Sequence, residues 1–438
     1  MRLTWVQPED LLPHQLVQSR TEGVDVADVE ARWRDAGGTT DAPVSGASDK
    51  PAGGELRALA RELLDELDAR SPQWVEPAIP SLPLLGGASA DLERRVLNAW
   101  LGRAAGNLLG KPVEKIPREG IREILQTSGQ WPLTRYITAV GVPAEVLARW
   151  PWNRRSEPTS LREVIDGMPE DDDLNFAILA LQLFEKHGDA LSTEHVALAW
   201  LNDLPAGRVF TAERVVYRNL LDGVDPLQAA RARNPFREWI GAEIRTDVYG
   251  WVHPGDRTAA ARLALTDARL SHTGAGVDGA VWVAAMSAAA LVLDDPTEVA
   301  RAGLEAVPAD GEIARAVRFG LELADVELDE ALDRLHSQYG HLHWVHSVNN
   351  SALTAYALTA PDFATGIGRA VMGGWDTDSA GATVGAVLGA VLGVPAEWTG
   401  PLDNRLATSL PGMNQVAIDE LAARTVAVQS LEGAAGRG

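Results

Sequence analysis

The sequence contains no cysteine among its 438 residues. Disulfide bonds, zinc–thiolate sites and cysteine nucleophiles are therefore excluded. It also lacks an apolar run of the roughly 20 residues that a membrane-spanning helix needs. The first residues, MRLTWVQPEDLLPHQL, have neither the basic region nor the apolar stretch of a secretory signal peptide. We therefore expect a cytoplasmic protein that does not enter the membrane.

Basic residues are scarce relative to acidic ones. The chain has 39 Lys and Arg against 61 Asp and Glu, a formal net charge of −22 at pH 7. Such a surface repels the phosphates of nucleic acids and of anionic lipids, so we predict neither as a partner. An acidic surface also raises the local concentration of cations, which favours a divalent-metal site.

The alternation of apolar and polar residues that marks a half-buried strand is missing, whereas apolar residues three and four apart recur along the chain. We therefore predict an all-α protein. The predicted helices span 26–35, 55–70, 91–109, 173–187, 192–203, 211–222, 257–270, 277–294, 296–306, 311–325, 328–338, 349–359, 362–372, 378–392 and 415–429.

The composition divides the chain into two parts. Residues 36–54 are rich in Gly, Pro, Ser and Thr without periodicity, which predicts a flexible linker. Residues 1–35 should begin irregularly and end in a short helix. We predict a helical N-terminal extension over residues 1–90 and a compact multi-helix domain over residues 91–438.

The stretch GGWDTDSAGATVGAVLGAVLGVP, residues 373–395, contains potential metal ligands followed by a regular glycine repeat. Asp376, Asp378 and Ser379 offer hard oxygen ligands where a loop becomes a small-residue apolar helix. Glycine then recurs at every fourth position from 381 to 393, which predicts close approach of a neighbouring helix. The run is too short to span a membrane, so it predicts a buried helix whose N-terminal end is able to bind a metal ion.

A second acidic cluster, Glu170-Asp171-Asp172-Asp173, precedes the apolar run LNFAILALQLF. One or two acids at a helix start are explained by the helix dipole, but four adjacent carboxylates repel one another unless solvent or a cation separates them. Mg²⁺ prefers carboxylate and hydroxyl oxygens in an octahedral shell. Two such helix starts facing each other predict a metal centre.

The stretch GRAAGNLLGKPVEKIP, residues 102–117, repeats glycine every fourth residue and ends with Glu114 in a loop. This spacing is not the phosphate-binding GxxxxGK[ST] pattern, so it does not indicate a nucleoside triphosphatase. By itself it predicts helix packing and a solvated glutamate.

Three further stretches carry polar residues within apolar sequence. DVYGWVHPGDR, residues 247–257, predicts an aromatic loop beside a pocket, with Tyr249 and Gly250 in it. LSHTGAG, residues 270–276, contains His272 and Gly274, and a histidine there is either a helix C-terminal cap or a functional group. HLHWVHSVNN, residues 341–350, fits no zinc spacing and predicts loop structure or substrate contacts.

Together these motifs resemble the ADP-ribosylglycohydrolase family, which includes the enzyme that reverses ADP-ribosylation of dinitrogenase reductase and the ADP-ribosyl-acceptor hydrolases. The resemblance covers roughly residues 91–428, and the stretch from Gly373 onward is its most specific part. It implies an all-α fold and two Mg²⁺ ions, or Mn²⁺ in some members, between the helices. It also implies hydrolysis of the N- or O-glycosidic bond between ADP-ribose and a protein side chain or small acceptor.

Matching motifs imply roles for particular residues. In the family the metals hold the ribose diol and a water near the anomeric carbon, and a carboxylate assists proton transfer. The implied metal ligands are Asp376, Asp378, Ser379 and two or all three of Asp171, Asp172 and Asp173. The predicted catalytic residues are Glu114, Asp172 and Asp376, and the predicted substrate-binding residues are Asn107, Tyr249, Gly250, His272 and Gly274.

This sequence departs from the family pattern at three places. Many members carry Thr-Asp-Asp-Thr at the first acidic site, and two alignments of this chain put either Leu174 or Asp173 at the second threonine. Asn107 stands where many members have Asp, and Trp375 adds a bulky side chain beside the aspartates. These changes bear on the substrate more than on the fold.

The sequence thus predicts a Mg²⁺-dependent hydrolase that cleaves an ADP-ribosyl linkage through a binuclear site. Its partner would be an ADP-ribosylated protein or an ADP-ribosyl or ribosyl small molecule, and the acceptor stays open between an arginine, a serine and a small molecule. One alternative is hydrolysis of another N-ribosidic small molecule. The other is a non-catalytic relative that binds a partner or serves a structural role.

Overall fold

The computed structural model describes residues 3–86 and 91–435, and within these ranges the chain is helical with one short pair of strands. The prediction of an all-α fold is confirmed. The α-helices are α1 (Pro8–Thr21), α2 (Ala27–Asp35), α3 (Gly54–Arg70), α4 (Leu92–Gly110), α5 (Arg118–Thr127), α6 (Ala144–Arg149), α7 (Glu157–Ser160), α8 (Asp172–His187), α9 (Thr193–Asp203), α10 (Thr211–Leu221), α11 (Pro226–Ala229), α12 (Asp247–Trp251), α13 (Arg257–Ala268), α14 (Gly274–Ala290), α15 (Pro296–Leu304), α16 (Glu312–Glu322), α17 (Leu328–Tyr339), α18 (Ser347–Ala357), α19 (Phe363–Met372), α20 (Thr377–Leu392), α21 (Ala396–Thr399) and α22 (Ile418–Ala435).

Shorter elements connect these helices. Turns of 3₁₀ helix span Lys111–Val113, Gly188–Ala190, Ala206–Arg208, Ile240–Arg245 and Gly400–Leu402. Strands β1 (Arg405–Leu406) and β2 (Val416–Ala417) pair antiparallel. Each strand has only two residues, too few to show an alternating pattern, which is why the sequence predicted no strand.

The N-terminal region is more ordered than the sequence suggested. The predicted irregular start contains helix α1, which begins with Pro8 in its first turn, followed by the acidic Glu9 and Asp10. Its buried residues Leu11 and Leu12 pack into the same core as the rest of the chain. Residues 36–53 have no helix or strand.

The most extensive contact between two helices of the described chain joins α4 to α20. An added Cβ at Gly106 would lie 1.9 Å from the carbonyl oxygen of Gly381, and one at Gly102 would lie 2.0 Å from that of Gly385. Only glycine fits where two helix backbones come this near. The glycines that recur at every fourth position in α4 therefore face those that recur in the same way in α20. The sequence predicted close packing for each of these helices separately.

This contact fixes where the two helices end and begin. Gly110, at the C-terminal end of α4, lies against Thr377 at the start of α20, and the Thr377 hydroxyl donates to the Gly110 carbonyl over 2.9 Å. The loop that carries Glu114 is thereby held beside the loop that carries Asp376.

No helix in residues 3–86 and 91–435 combines the length and the apolar character that crossing a membrane requires. Helix α20 is instead buried from Thr377 to Ala390.

We expect Gly385→Ala to destabilise the protein by about 2 kcal/mol, because its new methyl group would stand 2.1 Å from the Gly102 carbonyl oxygen and overpacking a rigid core typically costs about 1–3 kcal/mol. Urea unfolding followed by circular dichroism measures this change. Gly400→Ala is the matched control, since no atom lies within 4 Å of its added Cβ. Equal unfolding midpoints for the two variants would contradict the assigned helix contact.

Candidate active site

Three acidic segments meet at one cavity of about 620 Å³. The start of α20 supplies Asp376, Asp378 and Ser379, and the loop after α4 supplies Glu114. The start of α8 supplies its acidic run, and all four of its carboxylates, Glu170 to Asp173, line the cavity. The two helix starts therefore face each other across one space, as the sequence predicted.

Asp171 caps helix α8 and is bound on several sides. Its side chain accepts a hydrogen bond from the Asp173 backbone N–H over 3.0 Å and another from the Asn107 amide over 3.0 Å. Its other carboxylate oxygen pairs with the buried Lys111 ammonium. These contacts hold the pKa of Asp171 below its usual value, although burial opposes that shift. Asp171 is thus a fixed carboxylate with one cation already beside it.

Asp173 is less well compensated. One of its oxygens accepts from the Ser379 hydroxyl over 3.4 Å, while Oδ1 is buried without a hydrogen-bond partner in the described structure. The Arg103 guanidinium is 3.9 Å from that oxygen, beyond hydrogen-bond distance. An orphaned buried carboxylate oxygen costs free energy unless a cation meets it.

The positions of these oxygens fit a hard divalent cation. One oxygen each from Asp171, Asp173 and Asp378 lie within 4.8 Å of one another, and all three residues are buried. Oxygen donors of this kind, with the Ser379 hydroxyl adjacent, are those that Mg²⁺ and similar ions take. The buried acidic triad is therefore able to hold a metal ion.

Burial and the proximity of other carboxylates raise the pKa values of four acids in the cavity. Burial, followed by the charge of Asp378, raises the pKa of Asp376 well above its usual range. Burial and the neighbouring Glu114 raise the pKa of Asp378 to about 7. Burial and Asp171 likewise raise the pKa values of Asp172 and Asp173. Carboxylates that resist ionisation in this way are the groups that a bound cation would stabilise.

Glu114 occupies the wall of the cavity beside this cluster. The Asn153 amide donates to one of its oxygens over 2.6 Å, and the Lys115 ammonium lies 3.1 Å from the other. The carboxylate is therefore oriented by two partners while remaining half-buried at the cavity surface.

The predicted substrate-binding residues lie elsewhere, since none of the five is among the described residues that line the cavity. Asn107 is fully buried behind Asp171. Tyr249 lies in helix α12 rather than in the predicted loop, is fully buried, and donates to Asp267 over 2.6 Å. An added Cβ at Gly250 would lie 2.3 Å from the Ala284 carbonyl oxygen, so this glycine serves helix packing.

His272 and Gly274 are placed behind the cavity wall. His272 is fully buried, its Nδ1 is 2.7 Å from the Ser271 hydroxyl, and burial lowers its pKa well below the usual value. Its Nε2 is 3.9 Å from a carboxylate oxygen of Glu213, which itself lines the cavity. Gly274 begins helix α14 with a φ of +50° next to Glu238. Trp375 stacks on His336 with ring centroids 4.3 Å apart.

Sequence reasoning missed several residues of the cavity. Lys111 is one of them, and its position three residues before Glu114 is the sequence signal of its proximity to the site. Glu213 is another, and an acid in the first turn of a helix does not by itself indicate a site. No local pattern marks the other lining residues that carry charge or an aromatic ring, which are Trp5, Lys115, Arg155, Arg208 and Phe210. Trp344 also lines the cavity and lies in the stretch 341–350, for which the sequence predicted loop structure or substrate contacts.

The protein is thus an all-α protein in which two acidic helix starts meet at one cavity and form a centre able to hold a metal ion. Residues 88–434 match the family model of the ADP-ribosylglycohydrolases, so the chain belongs to the ADP-ribosylglycohydrolase family. The predicted resemblance is confirmed, and membership indicates a glycohydrolase.

Individual relatives are distant. An uncharacterized protein of Archaeoglobus fulgidus is 26% identical over 328 residues, which cover 73% of this chain and 96% of that protein. A solved structure described as an ADP-ribosylglycohydrolase-related protein complex is 20% identical with a TM-score of 0.48, and the match covers 78% of this chain and 99% of that one.

We expect the metal-free protein to lose stability as pH rises from 5 to 8. Asp376 and Asp378 have raised pKa values in the folded state, so their contribution is present below the unfolded-state pKa and is lost as pH rises through the folded-state pKa. Thermal unfolding in a chelator, measured across this range, should show a falling Tm.

Other buried acids add to the same trend, including Glu243, whose pKa burial raises to about 8. Asp378→Asn isolates the centre, because an amide does not ionise. Its Tm should fall less steeply with pH than that of the unchanged protein. If Tm falls equally steeply with pH in both proteins, the pKa of Asp378 is not raised as assigned.

Proposed function

We propose that the protein is a divalent-cation-dependent hydrolase that cleaves an ADP-ribosyl linkage, with two Mg²⁺ ions, or Mn²⁺ in their place, at its centre. The observation that carries this proposal is the convergence of Glu114, residues 170–173 and the trio Asp376, Asp378 and Ser379 on one cavity. Its volume of about 620 Å³ lies within the range of roughly 300–1,000 Å³ typical of small-molecule sites.

The residues proposed to hold the ions share hard oxygen donors and positions at the two helix starts. They are Asp171, Asp172, Asp173, Asp376, Asp378 and Ser379. When bound, such ions supply Lewis-acid polarisation and lower the pKa of a coordinated water. Asp172 and Asp376, which line the cavity, are proposed to orient the ribose and the attacking water.

Glu114 is proposed to move the proton. Hydrolysis adds water across the bond between the anomeric carbon and the acceptor, so one proton must leave the water and one must reach the leaving group. Glu114 is held by Asn153 and Lys115 at the cavity wall, where a carboxylate is able to take the first proton and return it.

The rest of the cavity suits a phosphorylated ligand. Lys115, Arg155 and Arg208 line it in a protein of strongly negative charge, and Arg and Lys are the side chains that recognise phosphate. Arg208 also pairs with Glu170 over 2.7 Å. The side chains proposed to bind phosphate therefore lie next to the acidic cluster.

Two other functions are weighed against this one. Hydrolysis of another N-ribosidic small molecule would use the same acidic centre with a different outer pocket. A non-catalytic binding protein would have no use for Oδ1 of Asp173, which is buried without a hydrogen-bond partner and lies 3.9 Å from the Arg103 guanidinium, a costly arrangement. Turnover of ADP-ribosylated substrates compared with simpler ribosides separates these functions.

We expect Asp376→Ala to lose hydrolytic activity by at least about 100-fold and to bind Mg²⁺ more weakly, because the variant lacks a carboxylate of the cluster. Calorimetric titration of Mg²⁺, with and without ADP-ribose, measures the second effect independently of turnover. Helical circular dichroism should be unchanged.

The control is Asp325→Ala, which removes an exposed aspartate and should leave both measurements unchanged. Retained activity of Asp376→Ala on the same substrate would refute the metal assignment. If the protein without any substitution binds neither Mg²⁺ nor Mn²⁺, the non-catalytic alternative is favoured.

Lys111→Met is expected to strengthen Mg²⁺ binding several-fold. The buried Lys111 ammonium contacts Asp171 and stabilises its charge, so it competes with any other cation for that carboxylate. The same titration measures the effect, and Lys186→Met, at an exposed position, is the control. Weaker binding in Lys111→Met would mean that the lysine orients Asp171 rather than competing for it.

A further inference from the structure

One wall of the cavity comes from outside the part of the chain that matches the family. Trp5 lines the cavity together with the acidic centre, whereas the family match begins at residue 88. The N-terminal segment therefore reaches the site through a single large aromatic side chain.

The backbone around Trp5 is held in an unusual conformation. Trp5 has a φ of +65°, which is rare for a bulky residue and costs about 1–3 kcal/mol. Its N–H donates to the Gly46 carbonyl over 2.7 Å. The preceding Thr4 accepts two hydrogen bonds from Arg214, of 2.7 Å to its hydroxyl and 3.2 Å to its carbonyl. Arg214 directly follows Glu213, another residue of the cavity, so these contacts tie the segment to the wall.

The linker also shapes the site. Gly46 has a φ of +74°, and an added Cβ there would lie 2.1 Å from the Trp5 ring. The backbone carbonyl of Val44 accepts from the indole N–H of Trp344 over 3.3 Å, and Trp344 lines the cavity as well. Residues 44–46 thus position one aromatic residue of the cavity and contact a second.

Behind Trp5 the ring is fixed by other aromatic residues. Its centroid is 5.3 Å from Phe236 and 5.7 Å from Trp239, both in edge-to-face geometry, an arrangement that stabilises aromatic clusters. Trp5 is only 5% exposed. Only an edge of the Trp5 ring therefore reaches the cavity, and its neighbours hold that edge in a fixed position for contact with a ligand.

We propose that Trp5 is a ligand-binding residue of this site and contacts a planar ring of the substrate, such as its base. This inference rests on the proposed function, because it takes the cavity as the place where a ribosyl ligand binds. The N-terminal segment is then a determinant of specificity, selecting ribosyl ligands that carry a planar group beyond the sugar and phosphate.

The test compares a ligand with a base to one without. Binding of ADP-ribose and of ribose 5-phosphate is measured by calorimetry in the presence of Mg²⁺. Trp5→Ala should weaken ADP-ribose binding by about two- to tenfold, the range that loss of one edge-to-face aromatic contact produces, and leave ribose 5-phosphate and Mg²⁺ binding unchanged. Trp5→Phe should retain most of the ADP-ribose affinity.

Gly46→Ala provides a second route that leaves the tryptophan in the chain. Its methyl group displaces the Trp5 ring, so ADP-ribose binding should weaken as in Trp5→Ala. Gly37→Ala is the matched control from the same segment, since Gly37 also has a positive φ, of +85°, and no atom lies within 4 Å of its added Cβ. If Trp5→Ala does not fold, as judged by circular dichroism, Gly46→Ala and Trp5→Phe decide the question.

The possible outcomes are distinct. Unchanged ADP-ribose affinity in Trp5→Ala and Gly46→Ala, with Mg²⁺ binding intact, overturns this inference and leaves the proposed function standing. Equal weakening of both ligands also overturns it, because the effect would not depend on a ring. If the protein without any substitution binds no ribosyl ligand that carries a base, both this inference and the proposed function are overturned.

Discussion

The approach of α4 to α20 is the constraint on which the rest of the site depends. Glycine at positions 102, 106, 381 and 385 lets the two backbones meet at distances that no side chain allows. Both helices are thereby fixed along their lengths, and the loop after one is locked against the loop before the other through Thr377 and Gly110. Carboxylates from distant parts of the sequence are preorganised by helix packing rather than by contacts among themselves.

That packing forces like charges together, and the surrounding residues compensate only part of the repulsion. Lys111 and Asn107 stabilise Asp171, whereas Asp173 keeps a buried oxygen that has no hydrogen-bond partner and is 3.9 Å from the Arg103 guanidinium. The raised pKa values of Asp376 and Asp378 express the same imbalance. A cation would offset the repulsion, so the same helix packing also explains why the site is able to hold a metal ion.

The features predicted from the sequence are those that local patterns encode. Helix α20 and its acidic start follow from the glycine spacing and from Asp376 and Asp378, and α8 follows from its apolar run. The ambiguous register at Asp171–Asp173 does not affect their placement, because all three line the cavity. Trp5 could not be predicted, since its role depends on Gly46 and on residues more than 200 positions away.

Tyr249 and His272 show how a polar residue in apolar sequence is read wrongly when its partners are unknown. Both belong to a buried network around Arg245, which donates to Glu213 over 2.8 Å, to Asp267 over 2.5 Å and to the Ser271 hydroxyl over 2.7 Å. Tyr249 and His272 contact Asp267 and Ser271 in turn. Glu213 is the member of this network that reaches the cavity, and burial raises its pKa. Because Arg245 bridges Asp267, Ser271 and Glu213, Tyr249 and His272 are linked through this network to the cavity wall and support the position of Glu213 from behind it.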